Sequence, residues 1–290
     1  MKRILITGLN SYIGNQFVDW ISEQKEEYQI QRVSVRDNKW KEMDWSTYDT
    51  VLHVAGIAHN SSDASLEELY YQVNRDLTIE IAVKAKAEGV RHFVNMSSII
   101  IFGTKNEKID LNTTPDPDNF YGDSKLQAEV KLNELATDNF IISHIRPPMV
   151  YGANSKGNFP LLVKLANKIP IFPNYENKRS MIYIKNLCEF LRLVIDGKIP
   201  GELHPQNSEY IKTSNLVSSI AKNKNHRVIQ TKIFNPLILL LTKINLVNKV
   251  FGNLYYSKEI SKVNFEYQVY SLTESIEDIY TNEINRGLNS

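Results

Sequence analysis

Tyr121 and Lys125 stand four residues apart in the segment Asn119–Thr137, whose apolar periodicity predicts a helix. Residues spaced by four lie on one helical face, so the phenol and the ammonium are expected to be neighbours. A tyrosine side chain has a pKa of about 10 in water, which is too high for proton transfer at neutral pH. A nearby ammonium favours the phenolate and lowers that pKa. The pair therefore predicts an acid/base catalyst, although this spacing alone occurs by chance in many helices.

A glycine-containing turn joins the first predicted strand to the first predicted helix, with Gly8, Ser11 and Gly14 at its corners. Glycine lets the backbone approach a pyrophosphate closely, and the helix N-terminus presents free N–H groups to the phosphates. Asp37, near the end of the second predicted strand, can accept both ribose hydroxyls of an adenosine and repels a 2′-phosphate. Asp44 is a candidate for the adenine side. The turn predicts a dinucleotide cofactor, and Asp37 favours NAD, with NADP as the alternative. The other interpretation of the two aspartates is that they are only solvated charges in a loop.

Strands and helices alternate along the first half of the chain. The predicted strands are Ile4–Ile6, Val33–Val35, Thr50–Ala55, His92–Ser97 and Phe140–Ile145, and the predicted helices are Tyr12–Glu23, Leu66–Gly89 and Asn119–Thr137. This rhythm is typical of a Rossmann-like, doubly wound α/β fold with a parallel sheet. Residues 1–150 are predicted to form an NAD(P)-binding domain. Residues 151–290 are predicted to form a smaller α/β substrate-binding region, of which some segments return to the main sheet.

The serine-containing segment Met96–Gly103 follows the fourth predicted strand. Ligands of open α/β sheets bind at the carboxyl ends of the strands. A serine at this position faces the nicotinamide site, and its hydroxyl can hold the substrate oxygen that the tyrosine protonates or deprotonates. The serine segment, the glycine turn and the tyrosine–lysine pair are therefore expected at one edge of the sheet.

Six motifs occur together in the order that this fold requires. They are Thr7-Gly8-x-x-Ser11-x-x-Gly14, His53-x-Ala55-Gly56, Asn74 within residues 73–78, Ser97-Ser98-x-x-x-Phe102-Gly103, Tyr121-x-x-x-Lys125 and Arg146-Pro147-x-x-x-Tyr151-Gly152. Together they resemble the extended short-chain dehydrogenase/reductases. More narrowly, they are similar to the NAD-dependent epimerase/dehydratase family, which includes UDP-glucose 4-epimerase. The resemblance spans roughly residues 3–195.

The resemblance implies roles for individual residues. Ser98, Tyr121 and Lys125 would form the catalytic triad, and Ser98, Tyr121 and Arg179 would contact the substrate, Arg179 through its diphosphate. The dinucleotide would be held by Gly8, Ser11, Tyr12, Ile13, Gly14, Asp37, Asp44, Ala55, Gly56, Asn74, Tyr121 and Lys125. It further implies a homodimer in which the helices at roughly 66–88 and 119–137 pair across a four-helix interface.

Ile99 and Ile100 depart from part of the family. Its sugar 4,6-dehydratases carry an Asp-Glu pair there, its decarboxylases keep a glutamate, and one epimerising reductase has a cysteine at the first position. Isoleucines supply no acid/base group, so dehydration and decarboxylation are not expected. What remains is chemistry that needs only a hydride and one acid/base group. The resemblance implies a C4 epimerase of a UDP-hexose or UDP-N-acetylhexosamine, acting through a 4-keto intermediate in surface polysaccharide synthesis. An NAD(P)H-dependent 4-keto-sugar reductase uses the same residues, and a non-catalytic NAD-binding scaffold or redox sensor is the third alternative.

Composition and charge argue against nucleic-acid-binding, membrane-spanning and metal-binding functions. The 290 residues carry a net charge of +1, which does not favour a nucleic-acid partner. The single cysteine, Cys188, lies in an apolar stretch and predicts a buried thiol in a reducing cytoplasm. No apolar run is long enough to span a membrane, and Phe234–Phe251 is interpreted as a substrate lid or core helix rather than a membrane-surface helix. No metal site is predicted, because the histidines do not have the spacing of metal ligands. They are His53, His59, His92, His144, His204 and His226.

Overall fold

Strands and helices alternate in the computed structural model, which describes residues 1–22, 27–58, 63–224, 226–241 and 245–287. The strands are β1 (Lys2–Thr7), β2 (Tyr28–Val33), β3 (Thr50–His53), β4 (His92–Met96), β5 (Lys108–Ile109), β6 (Ile141–Ile145), β7 (Met149–Tyr151), β8 (Ile171–Pro173), β9 (Met181–Tyr183), β10 (Gly201–Leu203), β11 (Ile229–Thr231) and β12 (Tyr255–Tyr256). The α-helices are α1 (Tyr12–Ile21), α2 (Glu67–Tyr70), α3 (Leu77–Ala87), α4 (Phe120–Leu135), α5 (Phe159–Lys168), α6 (Ile184–Gly197), α7 (Thr213–Asn223), α8 (Asn235–Leu241), α9 (Asn245–Phe251) and α10 (Leu272–Gly287).

Six of these strands form one parallel sheet in the order β2-β1-β3-β4-β6-β10. The chain leaves β1 toward one side to make β2 and returns on the other side to make β3. The crevice beyond the carboxyl ends of β1 and β3 is therefore a topological switch point, which is where doubly wound sheets bind their ligands. The predicted Rossmann-like, doubly wound α/β fold is confirmed.

The strand predicted at Val33–Val35 is wrong, because β2 ends at Val33 and pairs along its whole length with β1. The polar residues Gln29, Gln31 and Arg32 are exposed within β2. An edge strand has a neighbour on one side only and packs less apolar surface. No continuous apolar run therefore marks it in the sequence.

The helix predicted at Leu66–Gly89 is interrupted. A π-helical turn, Tyr71–Asp76, separates α2 from α3 and buries Asn74 completely. Single π turns inside helices are rare and frequently occur at functional sites, because they rotate one side chain out of the regular helical register. Here the turn directs Asn74 toward the switch point.

The sheet separates two apolar clusters. Ile4 and Ile6 of β1 belong to one cluster and Leu5 to the other, since successive strand residues point to opposite faces. The first cluster combines α1 with α5, α6 and α7, whereas the second lies under α3 and α4. β10 extends the sheet from beyond residue 150. The domain boundary at residue 150 stays a prediction, and the described residues on both sides of it share the first cluster.

Cys188 lies on α6, where it is fully buried and where burial raises the pKa of its thiol, as expected of a structural cysteine. No helix within the described ranges is long and apolar enough to cross a bilayer. The same ranges contain no group of three His, Cys, Asp or Glu side chains that could hold a metal ion. His53 instead packs in the sheet, with Nδ1 2.7 Å from Thr7 Oγ1, and His59 lies outside the described residues.

Of the two interpretations of Phe234–Phe251, a substrate lid or a core helix, the core helix is wrong for the first part, and the lid stays a prediction. This stretch contains α8 and α9, with residues 242–244 outside the described ranges. Leu237 and Leu240 of α8 are exposed, while Ile238 on the opposite side is buried. Ile238 is therefore the one α8 side chain among the buried apolar residues of the described chain.

Candidate active site

The turn after β1 requires glycine at its first position. Gly8 has a φ of +98°, and a Cβ placed on it would lie 2.9 Å from the backbone nitrogen of Ala55. Both the left-handed conformation and the contact exclude a side chain. The Gly8 N–H donates to the carbonyl of Val33 at 3.1 Å, which ties the turn to the end of β2.

The same turn opens α1 at the carboxyl edge of the sheet. Ser11 caps the helix, with Oγ accepting from the Gly14 N–H at 3.3 Å. A Cβ on Gly14 would lie 3.1 Å from Val54 Cγ2 and 3.3 Å from Ile6 Cγ2, so glycine allows the helix to pack directly on the sheet. The backbone cradle and the open helix N-terminus fit a dinucleotide pyrophosphate.

Tyr12 and Ile13 form the first turn of α1, so their backbone N–H groups lie at this N-terminus. The Tyr12 hydroxyl is turned away from the turn, because a Cβ on Gly152 would lie 2.6 Å from it. Burial raises the pKa of this phenol well above its usual value. Tyr12 would therefore contact a bound cofactor through its backbone, while its ring packs against the segment after β7.

Asp37 and Asp44 both lie in the loop between β2 and β3. Asp37 is exposed and caps the 3-10 turn Asn38–Lys41, accepting from the Lys39 N–H at 3.1 Å. Asp44 accepts from the Ser46 N–H at 2.8 Å, and hydrogen bonding to Ser46 lowers the pKa of its carboxyl. Asp37 follows the end of the strand beside β1, which is where an adenosine ribose would lie, and its role stays a prediction.

Asn74 acts on the loop after β3. Its Oδ1 accepts from the Ile57 N–H at 2.9 Å, and its Nδ2 donates to the Ile57 carbonyl at 2.9 Å and to Ser124 Oγ at 3.3 Å. A Cβ on Gly56 would lie 2.9 Å from Asn74 Oδ1 and 3.2 Å from the Lys125 Nζ. Asn74 therefore positions the Ala55-Gly56 backbone beside the lysine, and its amide is already used by protein groups.

Lys125 is buried on α4, with Nζ donating to the carbonyl of Met96 at 2.9 Å. Burial lowers the pKa of this ammonium to about 8, and the charge of Glu129 opposes that shift. The carbonyl belongs to the last residue of β4, two residues before Ser98. Lys125 therefore connects α4 to the carboxyl end of β4.

Tyr121 and Ser98 are joined by a side-chain hydrogen bond. Ser98 Oγ also accepts from the Ile100 N–H at 3.3 Å, which caps the 3-10 turn after β4. A Cβ on Gly122 would lie 2.7 Å from the Ile100 carbonyl oxygen, so a glycine beside the tyrosine allows α4 to approach this turn. Ser98, Tyr121 and Lys125 therefore meet at the carboxyl end of β4, as the motif order predicts.

The pKa of Tyr121 is not lowered in this structure as the Tyr121–Lys125 spacing leads us to expect. Burial raises the pKa of Tyr121 to about 12, and the hydrogen bond from Ser98 acts against that rise. Lys125 directs its Nζ to the Met96 carbonyl rather than to the phenol. The local spacing places both groups on one helical face, but the desolvation of the phenol sets the direction of its pKa.

Arg179 lies between β8 and β9, and its guanidinium faces the end of α9. Its Nη1 donates to the carbonyls of Gly252 at 2.9 Å and Asn248 at 3.3 Å. Burial lowers the pKa of the guanidinium to about 10, and its buried Nε has no hydrogen-bond partner within the described residues. The side chain thus keeps donor capacity for an anion, and its predicted contact with the substrate diphosphate stays a prediction.

Two residues that lie beside the site, Glu129 and Tyr70, are not among the site residues predicted from the sequence. Glu129 forms a buried ion pair with Arg146, with Oε2 2.6 Å from Nη2, and it faces Lys125 from the next turn of α4. The Tyr70 ring packs edge-on against Tyr121, with centroids 5.8 Å apart. The spacing of Tyr121, Lys125 and Glu129 by fours was the available signal for Glu129, because it places all three on one face.

Known proteins are similar to this chain in sequence. The NAD dependent epimerase/dehydratase family matches residues 4–203. UDP-glucose 4-epimerase of Vibrio cholerae is 29% identical over 294 residues, with 89% of this chain and 84% of that protein covered. N-acetyl-alpha-D-glucosaminyl-diphospho-ditrans,octacis-undecaprenol 4-epimerase of Escherichia coli O157:H7 is 25% identical over 272 residues, with 87% and 82% covered.

Solved structures share the fold. A dTDP-4-dehydrorhamnose reductase from Clostridium acetobutylicum superposes with a TM-score of 0.73 at 16% identity, covering 98% of this chain and 99% of that one. The UDP-N-acetylglucosamine 4-epimerase from Bacillus cereus gives a TM-score of 0.68 at 16% identity, with 98% and 100% covered. The family match includes the glycine turn, the serine segment and the tyrosine–lysine pair. It confirms the prediction of an NAD-dependent enzyme, and the chain belongs to the NAD dependent epimerase/dehydratase family.

Proposed function

We propose that this enzyme inverts the C4 configuration of a UDP-linked hexose or N-acetylhexosamine through a 4-keto intermediate. The observation that carries the proposal is a single acid/base group, Tyr121, hydrogen-bonded to Ser98 at the carboxyl end of β4. The two residues after Ser98 are isoleucines, which supply no second acid/base group. Ile99 is buried in an apolar cluster with Phe102. Inversion at C4 needs only a hydride carrier and one such group.

The residues of the chain divide the work as follows. NAD supplies the hydride acceptor and donor when it is bound in the cradle at Gly8. Tyr121 takes the proton of the C4 hydroxyl as the sugar is oxidised and returns it when the keto group is reduced. Ser98 donates a hydrogen bond to the same oxygen, and Lys125 holds a positive charge beside the site at neutral pH, because its pKa is about 8. The high pKa of Tyr121 must fall before it acts, and a cationic nicotinamide ring favours that change.

The sugar carrier is the finer part of the proposal. The Vibrio relative is named for a UDP sugar, and the Escherichia relative for a sugar on undecaprenyl diphosphate. Both carriers present a diphosphate, and Arg179 has a cationic guanidinium whose Nε has no hydrogen-bond partner within the described residues. We place the reaction in the cytoplasm, in the supply of sugars for surface polysaccharides.

We also propose that the enzyme is a homodimer. Val83 on α3 and Val130 on α4 are both exposed apolar residues, and these two helices pack against each other. Association of the pair with its copy in a four-helix interface would cover both. Light scattering of the purified protein should give the mass of two chains, and Val83→Lys combined with Val130→Lys should give one.

The test is interconversion of C4 epimers without added reductant. The purified protein is assayed for bound nicotinamide and incubated with UDP-glucose, UDP-galactose and their N-acetylated forms, and proton NMR reads the sugar ring. We expect interconversion, and we expect Tyr121→Phe to slow it by about 10²–10⁴-fold, since general acid/base catalysis contributes that much. Tyr175→Phe, whose ring packs on Phe251, is the matched control and should retain full activity.

Two results would contradict the proposal. If no epimer forms but a 4-keto sugar is reduced with NAD(P)H, the enzyme is a 4-ketoreductase. If neither reaction occurs and bound nicotinamide is unaffected by Tyr121→Phe, the chain is a non-catalytic NAD-binding scaffold.

A further inference from the structure

The segment between Glu209 and Glu259 has an unusual charge distribution. It contains seven lysines, one arginine and no acidic residue. The whole chain has a net charge of only +1, so the rest of it is net negative. Positive charge is therefore concentrated in this segment, which we name the basic segment.

The basic segment also exposes an apolar face on α8. Ile233, in the turn before the helix, is 81% exposed, and Leu237 and Leu240 are 55% and 76% exposed. Leu237 and Leu240 are three residues apart and lie on one side of the helix, and Ile233 adds a third exposed apolar side chain just before it. Ile238 on the opposite side is only 6% exposed and anchors α8 to the protein. We name the three exposed side chains the α8 face.

The exposed apolar surface continues beyond the helix. Ile229 of β11, which leads into α8, is exposed, and so is its register partner Ile171 of β8. Scattered apolar residues are normal on a protein surface, whereas a cluster rimmed by polar residues marks an interaction site. Lys232 stands directly beside the α8 face in the sequence, and no carboxylate of the basic segment neutralises it.

We propose that the α8 face docks onto the surface of an anionic lipid bilayer. α8 itself carries no charged residue, and the exposed Lys232 lies three residues before it. An exposed apolar helix flanked by basic residues, without acidic ones, has the composition of a segment that binds at a membrane interface. Its apolar side enters the boundary of the acyl chains while the lysines meet anionic headgroups. A second copy of the chain is a poor occupant, because a two-fold interface brings the same patch against itself. That contact would bring the basic segments of two chains, each without an acidic residue, against each other.

The docking surface connects to the predicted substrate contact. α8 packs against α9, and the carbonyls of Asn248 and Gly252 at the end of α9 accept from Arg179. Resting on the proposed function, this connection places the diphosphate contact one helix away from the bilayer. A sugar carried on a lipid diphosphate would then be reached without leaving the membrane surface.

Sedimentation of the full chain with lipid vesicles tests the docking. We expect the protein to pellet with vesicles of equal parts phosphatidylglycerol and phosphatidylcholine and to stay in the supernatant with phosphatidylcholine alone. Leu237→Gln combined with Leu240→Gln should weaken the partition by at least about tenfold, since two apolar side chains no longer leave water. Lys232→Gln should weaken binding to the anionic vesicles by roughly fivefold.

A matched control replaces two exposed apolar residues outside the basic segment. Leu111→Gln combined with Val269→Gln should pellet like the unmodified protein, and thermal melting should show all variants folded. The proposal is overturned if the unmodified protein does not pellet with anionic vesicles, or if the Leu237/Leu240 variant pellets equally well. A change of oligomeric mass in that variant without vesicle binding would instead assign the face to a second copy. The epimerase assay with soluble UDP sugars reads the proposed function independently of vesicle binding.

Discussion

Replacing Lys125 by methionine should change the pH dependence of stability as well as remove activity. The folded protein buries this ammonium and lowers its pKa from 10.5 to about 8. Each pKa unit corresponds to about 1.4 kcal/mol, so keeping the charged lysine in the folded state costs about 3 kcal/mol of unfolding free energy. The methionine side chain has a similar length and carries no charge.

The sign follows from the direction of the shift. A lysine with a lowered folded-state pKa destabilises the protein fully below pH 8, where both states hold the proton. The penalty is relieved as the pH rises from about 8 to 10.5, because the folded state releases its proton first. Methionine leaves the Met96 carbonyl without the Nζ donor, which costs about 1–3 kcal/mol at every pH. The Lys125→Met variant should therefore be equal to, or up to about 2 kcal/mol more stable than, the unmodified protein at pH 7.

The measurement is urea unfolding followed by tryptophan fluorescence at several pH values between neutral pH and the pKa of free lysine. We expect the stability difference between Lys125→Met and the unmodified protein to fall by about 3 kcal/mol across this interval. Lys131→Met on the same helix is the control, because it makes the same exchange at an exposed lysine, where no buried charge is removed. A flat difference for Lys125→Met would refute the argument that the fold buries a charged lysine.

Three further substitutions test how the site is held. Gly8→Ala should abolish NAD binding in a calorimetric titration, because the new Cβ would lie 2.9 Å from the Ala55 nitrogen and the φ of residue 8 is +98°. Binding of normal affinity would contradict this and show that the turn relaxes. Arg146→Met should lower the unfolding free energy by about 3–5 kcal/mol in urea, because it leaves Glu129 buried and unpaired, whereas adding Glu129→Gln should restore part of the loss. Asn74→Ala should raise the KM for NAD while leaving the thermal midpoint within a few degrees, because the amide holds the loop of Ala55 rather than the core; an unchanged KM would contradict the positioning role.

The positions of the turn glycines and of the Tyr121–Lys125 pair in the fold could be predicted from the sequence because their spacing is local, whereas their roles stay predictions. Gly8 and Gly14 occupy fixed positions in a turn, and Tyr121 and Lys125 share one face of one helix. Turn geometry and helical periodicity depend only on neighbours along the chain. The alternation of apolar runs likewise determined the fold class, which the structure confirms.

The tertiary structure decided the electrostatics and the partners of the same residues. The raised pKa of Tyr121, the clamp of Asn74 on Ile57 and the carbonyl partners of Arg179 each depend on residues distant in the sequence. The exposure of Leu240 on α8 is equally a property of how helices pack, since an apolar run reads the same in a core and on a surface. Desolvation and contact are set only when distant segments meet, so spacing alone identified which groups are present and the fold determined what each of them can do.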